Sequence, residues 1–246
     1  MDVAGGIHNR IWCSCLEDMG VHCKEGSYGE YWPAQENIEP NDLFIPNIFD
    51  IPKLYGCNLC MTEFVEEVVL VDENDNEIGR VPKAEVHGIK TPLHRAFSSF
   101  IFNSNGQILL QQRSHKKKTW PLVWSNSCCG HPLPEETREH AVVRRIKDEL
   151  GMDVSELNVK FMSPYRYCFS RFGVMENEIC PIYVVHSDAE PHLNDDEVEQ
   201  VKWMPWEEYV ADTQNNPGEW SEWCVEEVAI LDSSNMFGSW LESISR

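Results

Sequence analysis

Short apolar runs separated by polar turn residues begin near Phe64 and continue along the rest of the chain. The runs at 95–102 and 107–112 flank Asn103-Ser104-Asn105-Gly106, and this arrangement predicts a β-hairpin. The polar segment from Asp72 to Glu77 predicts a turn. The strands that the whole pattern predicts are 64–72, 95–102, 107–112, 165–169, 179–186 and 198–204.

A different period, of three to four residues, predicts the helices. Segment 135–150 carries an apolar stripe and is followed by Gly151, a natural C-terminal stop. Further helices are expected at 206–212 and 223–231, and the last ten residues are expected to extend the second of these. Strands and helices interspersed in this way predict a mixed α/β domain.

Residues 1–60 differ from the rest because they are rich in Pro-containing turns and have little periodicity. We interpret them as an irregular N-terminal extension without a core of its own, followed by a domain at 61–246. The extension carries two cysteine pairs, Cys13 with Cys15 and Cys57 with Cys60. Such pairs can bind zinc, but the unusual spacing between them favours an arm without metal.

Charge and hydropathy limit the possible partners. The net charge of -21 argues against binding to nucleic acid or to anionic membranes, and no apolar run approaches the roughly 20 residues of a membrane span. One segment is nevertheless basic, which predicts an anionic ligand or, alternatively, a strand edge protected by lysines. Its eight basic residues, against one acid at Glu85, are Arg80, Lys83, Lys90, Arg95, Arg113, Lys116, Lys117 and Lys118.

The cellular location is predicted from the ends of the chain and from its cysteines. No basic start followed by an apolar stretch is visible, so we expect a cytoplasmic protein. A chain of 246 residues without an export signal is expected to keep its ten cysteines reduced. We also expect a monomer.

Two short segments concentrate reactive side chains. Cys129 and His131 lie two residues apart in the first, which offers a thiol and an imidazole. Glu176 and Glu178 occupy positions i and i+2 in the second, so their carboxylates point the same way if the segment is a strand. A nucleophile or base, an imidazole and paired acids together predict proton transfer beside a bound metal.

A longer pattern surrounds the first of these segments. Gly130, Glu136, Arg144 and Glu149 follow the frame of a Nudix box, a loop, helix and loop whose acids hold a divalent metal against a diphosphate. Hydrolases of that class usually carry Glu where this chain has Arg145 and Asp148. An arginine on the metal-binding face repels metal and attracts phosphate, so this departure weakens the interpretation as a hydrolase.

From about Glu63 to Trp240 the chain resembles the type I isopentenyl-diphosphate isomerases, particularly their compact bacterial form. The landmarks of this resemblance are His87, His94, Cys129-Gly130-His131, the Nudix frame ending in Glu149, Glu176-Asn177-Glu178 before Cys180-Pro181, and Trp223. The resemblance implies a Nudix-like α/β/α sandwich and an isomerase of isoprenoid biosynthesis that interconverts isopentenyl diphosphate and dimethylallyl diphosphate.

The resemblance also implies two binding sites. A site for Mn²⁺, Mg²⁺ or Zn²⁺ would comprise His87, His94, His131, Glu176 and Glu178. The substrate diphosphate would be bound by four basic residues, with Glu149 holding a bridging Mg²⁺; these basic residues are Lys83, Arg113, Lys117 and Arg145. The ligand types do not select one metal for the first site.

The implied reaction moves a proton along an unactivated alkene through a tertiary carbocation. By the resemblance, Glu178 takes part in protonation with the help of Tyr167, and Cys129 acts on the opposite face of the substrate as a thiolate base. Trp223 would present its π face to the cation, although packing in the core remains an alternative role for it. Cys128 is interpreted as structural.

Three other functions remain open at this stage. The first is a Nudix pyrophosphohydrolase, which would release phosphate or a nucleotide. The second is a repurposed carbocation enzyme, such as a cyclase, that acts on a longer prenyl diphosphate. The third is a diphosphate-binding module without catalysis, which the presence of both proton-carrying residues disfavours.

Overall fold

In the computed structural model, residues 65–155 and 157–245 are described. The predicted N-terminal extension, its cysteines and the first residue of the strand predicted at 64–72 lie outside these residues. The domain boundary after residue 60 therefore remains a prediction. No helix within the described part of the chain combines the length and the apolar character needed to cross a bilayer.

Two β-sheets form the framework of the described residues. The strands of the first are β1 (Glu67–Val71), β2 (Glu77–Pro82), β3 (His94–Arg95), β9 (Arg166–Arg171) and β10 (Val174–Ile179). They are arranged in the order β2-β1-β3-β10-β9, and only β3 and β10 run parallel to each other. This sheet carries four of the predicted site residues: His94, Tyr167, Glu176 and Glu178.

The strands of the second sheet are β4 (Phe97–Phe102), β5 (Gln107–Arg113), β6 (Trp124–Ser125), β7 (Cys128–Gly130), β8 (Val159–Ser163), β11 (Ile182–His186) and β12 (Val198–Pro205). Its main order is β12-β5-β4-β11-β8, with β6 on β5 and β7 on β4. The predicted hairpin at 103–106 is confirmed, since β4 and β5 are antiparallel. The Asn103 side chain closes the turn by accepting the backbone N–H groups of Asn105 and Gln107.

Within the described residues, five α-helices accompany the sheets: α1 (Lys83–Val86), α2 (Arg138–Leu150), α3 (Trp206–Asn215), α4 (Glu222–Asp232) and α5 (Asn235–Ile244). The prediction that a helix spans 135–150 is correct at its C-terminus, where Gly151 adopts φ 57°. The helix begins three residues late because Glu135 has φ 67°, outside the right-handed region, and Thr137 caps the N-terminus.

The second sheet is covered on both faces, as an α/β/α sandwich requires. One face packs against the apolar stripe of α2, with Ile101 and Leu109 facing Ile146. The other face packs against α3, α4 and α5, where Phe100 and Ile108 belong to a cluster that includes Trp223. All six residues of β4 are buried, as expected of a strand that is covered on both faces.

Two predicted elements are wrong in their extent. The last ten residues do not continue the helix predicted at 223–231, because α4 ends at Asp232 and Ser234 caps the separate helix α5. The single strand predicted at 179–186 is divided, since Ile179 ends β10 in one sheet and Ile182 begins β11 in the other. Pro181 lies between them and has no N–H for a strand ladder.

Candidate active site

The register of the first sheet aligns three of the predicted site residues. Glu178 is paired with His94 on one neighbouring strand and with Tyr167 on the other. Directly paired residues project from the same face of a sheet, so the three side chains meet. Glu178 Oε1 lies 3.2 Å from His94 Nε2, and Tyr167 donates its hydroxyl hydrogen to Glu178 Oε2 at 2.6 Å.

A cluster of imidazoles surrounds the Glu178 carboxylate. One ligand atom from each of His87, His94, His131 and Glu178 lies within 4.8 Å of all the others. His87 follows the short helix α1, whereas His131 follows β7, so two chain segments bring these rings to the first sheet. His131 Nε2 is 3.0 Å from Glu178 Oε1. This group of residues could hold a metal ion.

Glu176 lies at the edge of the same cluster. Its Oε2 is 2.8 Å from His87 Nε2, yet the two buried atoms do not form a hydrogen bond with each other or with any other residue at 65–155 or 157–245. Buried polar atoms normally have a partner. His87 Nε2 and Glu176 Oε2 could instead both bind one cation placed between them. Nitrogen and oxygen ligands of this kind suit a divalent metal.

Hydrogen bonding also prepares His94 as a ligand. Its Nδ1 lies 2.9 Å from the carbonyl oxygen of Pro92, which accepts a hydrogen only if Nδ1 carries it. Nε2, on the side of Glu178, then donates to the carboxylate while the ring is protonated, and it gains a lone pair for a metal when that proton is lost. A backbone carbonyl is a common partner for the outer nitrogen of a histidine that binds metal.

Electrostatics in the cluster favour an ionised Glu178. Burial favours its neutral form, but hydrogen bonds from His131 and His94 hold the pKa of Glu178 well below its ordinary value. Burial likewise opposes the charge of His94, but Glu178 outweighs it and raises the pKa of His94. At His131 burial dominates and lowers the pKa to about 4. The cluster therefore centres on a negative charge.

An aromatic wall adjoins Glu178. The Tyr167 ring is stacked on Trp223 with centroids 5.6 Å apart, and it is also stacked between Tyr165 and Phe169. Trp223 is buried, and its indole N–H donates to Ser125 Oγ at 3.1 Å. Burial and the charge of Glu178 keep the pKa of Tyr167 far above its ordinary value, so its hydroxyl remains a donor.

Cys129 lies on β7 and is partly exposed, whereas Cys128 is buried against α2 in the apolar core. The Cys129 thiol donates to Asn126 Oδ1 at 3.1 Å and lies 3.6 Å from Ser98 Oγ. Removal from bulk water raises the pKa of the Cys129 thiol, and the charges of Glu227 and Glu178 raise it further. Strand β7, which carries Cys129, leads directly into His131, a member of the histidine cluster.

Three of the four predicted diphosphate-binding residues form ion pairs with acidic side chains. Arg145 lies 2.6 Å from Glu149 and 2.9 Å from Glu197, which also pairs with Lys117. Lys83 Nζ lies 2.9 Å from Glu66 Oε1. Burial and the positive charges of Arg145 and Lys117 lower the pKa of Lys83. Arg145 and Lys117 are held together by their shared partner Glu197. Glu149 is part of this charge network and not of the histidine cluster.

Arg113 has neutral partners, whereas the other three basic residues pair with acids. Its guanidinium binds the carbonyl and hydroxyl oxygens of Thr119 and lies 5.8 Å from the ring centroid of Trp223. It therefore borders the aromatic wall and forms no ion pair in the part of the chain that the structure describes.

Comparison with known proteins places this site in a family. The NUDIX domain family matches residues 92–224, more than half of the chain. An isopentenyl-diphosphate Delta-isomerase of Saccharopolyspora erythraea is 44% identical over 168 residues, which are 68% of this chain and 86% of the relative. The chain belongs to this family of isomerases. Relatives with the same name are 39% identical in Mycolicibacterium vanbaalenii (71% of this chain, 96% of the relative) and 40% identical in Klebsiella pneumoniae (68% and 91%).

Membership of the isopentenyl-diphosphate Delta-isomerase family confirms the resemblance stated from the sequence, and the Nudix-like α/β fold with it. Several polar residues of the site were not predicted. Glu197 belongs to a run of acids that resembles an ordinary exposed turn. Glu227 follows Trp223 by four residues, a spacing that puts both on one helix face and could have suggested it.

Proposed function

We propose that the protein interconverts isopentenyl diphosphate and dimethylallyl diphosphate; its relatives are named isopentenyl-diphosphate Delta-isomerases. One observation carries the proposal: the Glu178 carboxylate lies against His131 and accepts a hydrogen bond from Tyr167, whose ring is stacked on Trp223, and Cys129 lies two residues before that histidine. A five-carbon olefin held there would have a proton carrier on either side and an aromatic face for the carbocation.

The histidine cluster is proposed as the metal centre. His87, His94, His131, Glu176 and Glu178 would hold Mn²⁺, Mg²⁺ or Zn²⁺. A divalent cation bound there would neutralise the Glu178 carboxylate in part and fix its orientation. Tyr167 contributes a hydroxyl hydrogen at Glu178 Oε2, on the carboxylate oxygen that the two histidines do not contact.

The protonation states of the structure suit one stage of the reaction. Hydrogen bonds from the histidines lower the pKa of Glu178 and burial raises the pKa of the Cys129 thiol, and these directions favour an ionised carboxylate and a protonated thiol. Isomerisation of isopentenyl diphosphate would take a proton from the Glu178–Tyr167 pair and deliver a different substrate proton to Cys129. The forward reaction would therefore end with an ionised Glu178 and a protonated Cys129. The reverse reaction would start from that same state.

The basic network is proposed to bind the diphosphate through Lys83, Arg113, Lys117 and Arg145. Three acids already balance much of its charge in this structure: Glu66, Glu149 and Glu197. A diphosphate entering the network would compete with these carboxylates for the cations. A Mg²⁺ held by Glu149 would offset that competition, since Mg²⁺ binds carboxylate and phosphate oxygens together.

Replacement of Lys117 tests the diphosphate assignment. Lys117→Met should raise KM for isopentenyl diphosphate about 10- to 100-fold, because a hydrogen bond to a charged group contributes about 1.5–3 kcal/mol. The value of kcat should change less, since the lost contact is made equally in the ground and transition states. Steady-state kinetics measure both constants. Lys118→Met is the matched control, because Lys118 is exposed and reaches only the Ala84 carbonyl; equal effects of the two changes would contradict the assignment.

The reaction itself is tested by incubating the purified protein with isopentenyl diphosphate and Mg²⁺. We expect an acid-labile allylic product and no phosphate release. Release of phosphate without that product would instead indicate a pyrophosphohydrolase. Turnover confined to ten- or fifteen-carbon diphosphates would indicate a repurposed carbocation enzyme, and binding without any turnover would indicate a non-catalytic module.

We also propose that the protein works in the cytoplasm as a monomer. The described cysteines, at positions 128, 129, 168, 180 and 224, are all free thiols, which suits a reducing compartment. Gel filtration at micromolar concentration measures the oligomeric state.

A further inference from the structure

Glu227 is a buried acid without a countercharge. It lies on α4 and has no accessible surface, and it forms no ion pair with any residue that the structure describes. Its Oε1 has no hydrogen-bond partner among residues 65–155 and 157–245. Burial raises the pKa of Glu227 well above its ordinary value, and the charges of Glu178 and Glu226 add to this effect. A buried polar group with an unsatisfied atom destabilises the fold. Its presence therefore requires a reason other than stability.

Among the described residues the side chain of Glu227 forms one hydrogen bond, and this bond leads toward the Cys129 thiol. Its Oε2 accepts the Ser98 hydroxyl hydrogen at 2.7 Å. Ser98 Oγ in turn accepts from Asn126 Nδ2 at 2.8 Å and lies 3.6 Å from Cys129 Sγ. A serine hydroxyl has only one hydrogen to donate. While Glu227 accepts that hydrogen, the Cys129 thiol is left to donate to Asn126 Oδ1, at 3.1 Å.

We propose that Glu227 is a positioning residue for Cys129, acting through Ser98, an inference that rests on the proposed isomerase function. Glu227 fixes the direction of the Ser98 hydroxyl, and Ser98 and Asn126 together fix the sulfur. Without the acceptor on α4, the Ser98 hydrogen is free to turn toward Cys129 or Asn126, and the sulfur loses its single orientation. A misplacement of about 1 Å can cost roughly a hundredfold in rate.

The proposal requires a hydrogen-bonding group at 227 but not a charge. Glutamine has the size of glutamate and an amide oxygen that can accept the Ser98 hydrogen. Methionine has a similar length and is apolar, with only a weak acceptor. Gln and Met at this position therefore separate the hydrogen bond from simple filling of space.

The test compares Glu227→Gln, Glu227→Met and Ser98→Ala in the full-length enzyme with isopentenyl diphosphate and Mg²⁺. Glu227→Met should lower kcat about 10- to 100-fold and leave KM within about threefold, since the diphosphate contacts are untouched. Glu227→Gln should keep kcat within about threefold of the wild type. Glu226→Gln is the control, because Glu226 is an exposed neighbour that binds only the Tyr165 hydroxyl.

A double variant tests the route through Ser98. Ser98→Ala combined with Glu227→Met should be no slower than the slower single variant, because both changes break one hydrogen bond. A normal kcat in Glu227→Met or in Ser98→Ala would overturn the inference. A double variant whose loss of kcat equals the product of the two single losses would also overturn it, as would a Glu227→Gln variant as slow as Glu227→Met. If Glu227→Met does not fold, Ser98→Ala decides the question alone. A wild type without isomerase turnover would overturn the proposed function itself, whereas an active wild type with insensitive variants would overturn this inference alone.

Discussion

Cys129→Ala is expected to abolish measurable isomerase turnover while leaving the metal content of the protein unchanged. Loss of a positioned general acid or base typically costs about 10²- to 10⁴-fold in rate. The sulfur is the proposed proton carrier on the face of the substrate opposite Glu178, and Ala at this position has nothing that can carry a proton. The variant should fold, because it loses only the bond to Asn126 Oδ1, which still accepts from Ser125 Oγ. That loss costs about 1 kcal/mol.

Cys128→Ala is the matched control for this experiment. Cys128 is adjacent and fully buried, but it packs against α2 on the other face of the strand. Its replacement should lower the free energy of unfolding by about 1 kcal/mol and leave kcat nearly unchanged. Turnover and metal content are measured for both variants. A near-normal isomerase rate in Cys129→Ala, or an equal loss of rate in both, would refute the assignment of Cys129.

The elements that the sequence predicted well are those with a strong local pattern. Helix α2 has a regular apolar stripe and a glycine stop, and the hairpin at 103–106 has its turn residues in place. β10 was not predicted from its own pattern, because Glu176 and Glu178 are buried where an apolar residue would be expected. The cost of burying these acids makes sense only beside the three histidines, which come from distant parts of the chain.

The same reasoning explains why the hydrogen-bond network behind Cys129 was not predicted. Ser98 lies on β4, Asn126 lies between β6 and β7, and Glu227 lies on α4. Only the packing of α4 on the second sheet brings these three side chains together. No local spacing encodes a contact between residues 98 and 227. The resemblance to the isomerase family indicated the residues of the reactive centre, but not the side chains that hold them.

Glu178→Gln is expected to lose both bound metal and turnover. The amide keeps the shape of the side chain but removes the negative charge that faces His94 and His131. Metal affinity should fall at least about a hundredfold, since loss of even an outer partner of a ligand costs about 10- to 100-fold. Turnover should fall about 10²- to 10⁴-fold through loss of the proton carrier alone. Elemental analysis after dialysis and steady-state kinetics measure the two effects.

Glu199→Gln provides the comparison, because Glu199 also pairs with a histidine but does so on the surface. Glu199 Oε2 lies 2.7 Å from His115 Nδ1, and both side chains are accessible to solvent. The same chemical change there removes a charge that water screens, so metal content and kcat should stay at the wild-type level. Full metal content and full rate in Glu178→Gln would contradict the double role of Glu178. Loss of turnover with intact metal would restrict that role to proton transfer with Tyr167, and the metal would then depend on Glu176 and the histidines.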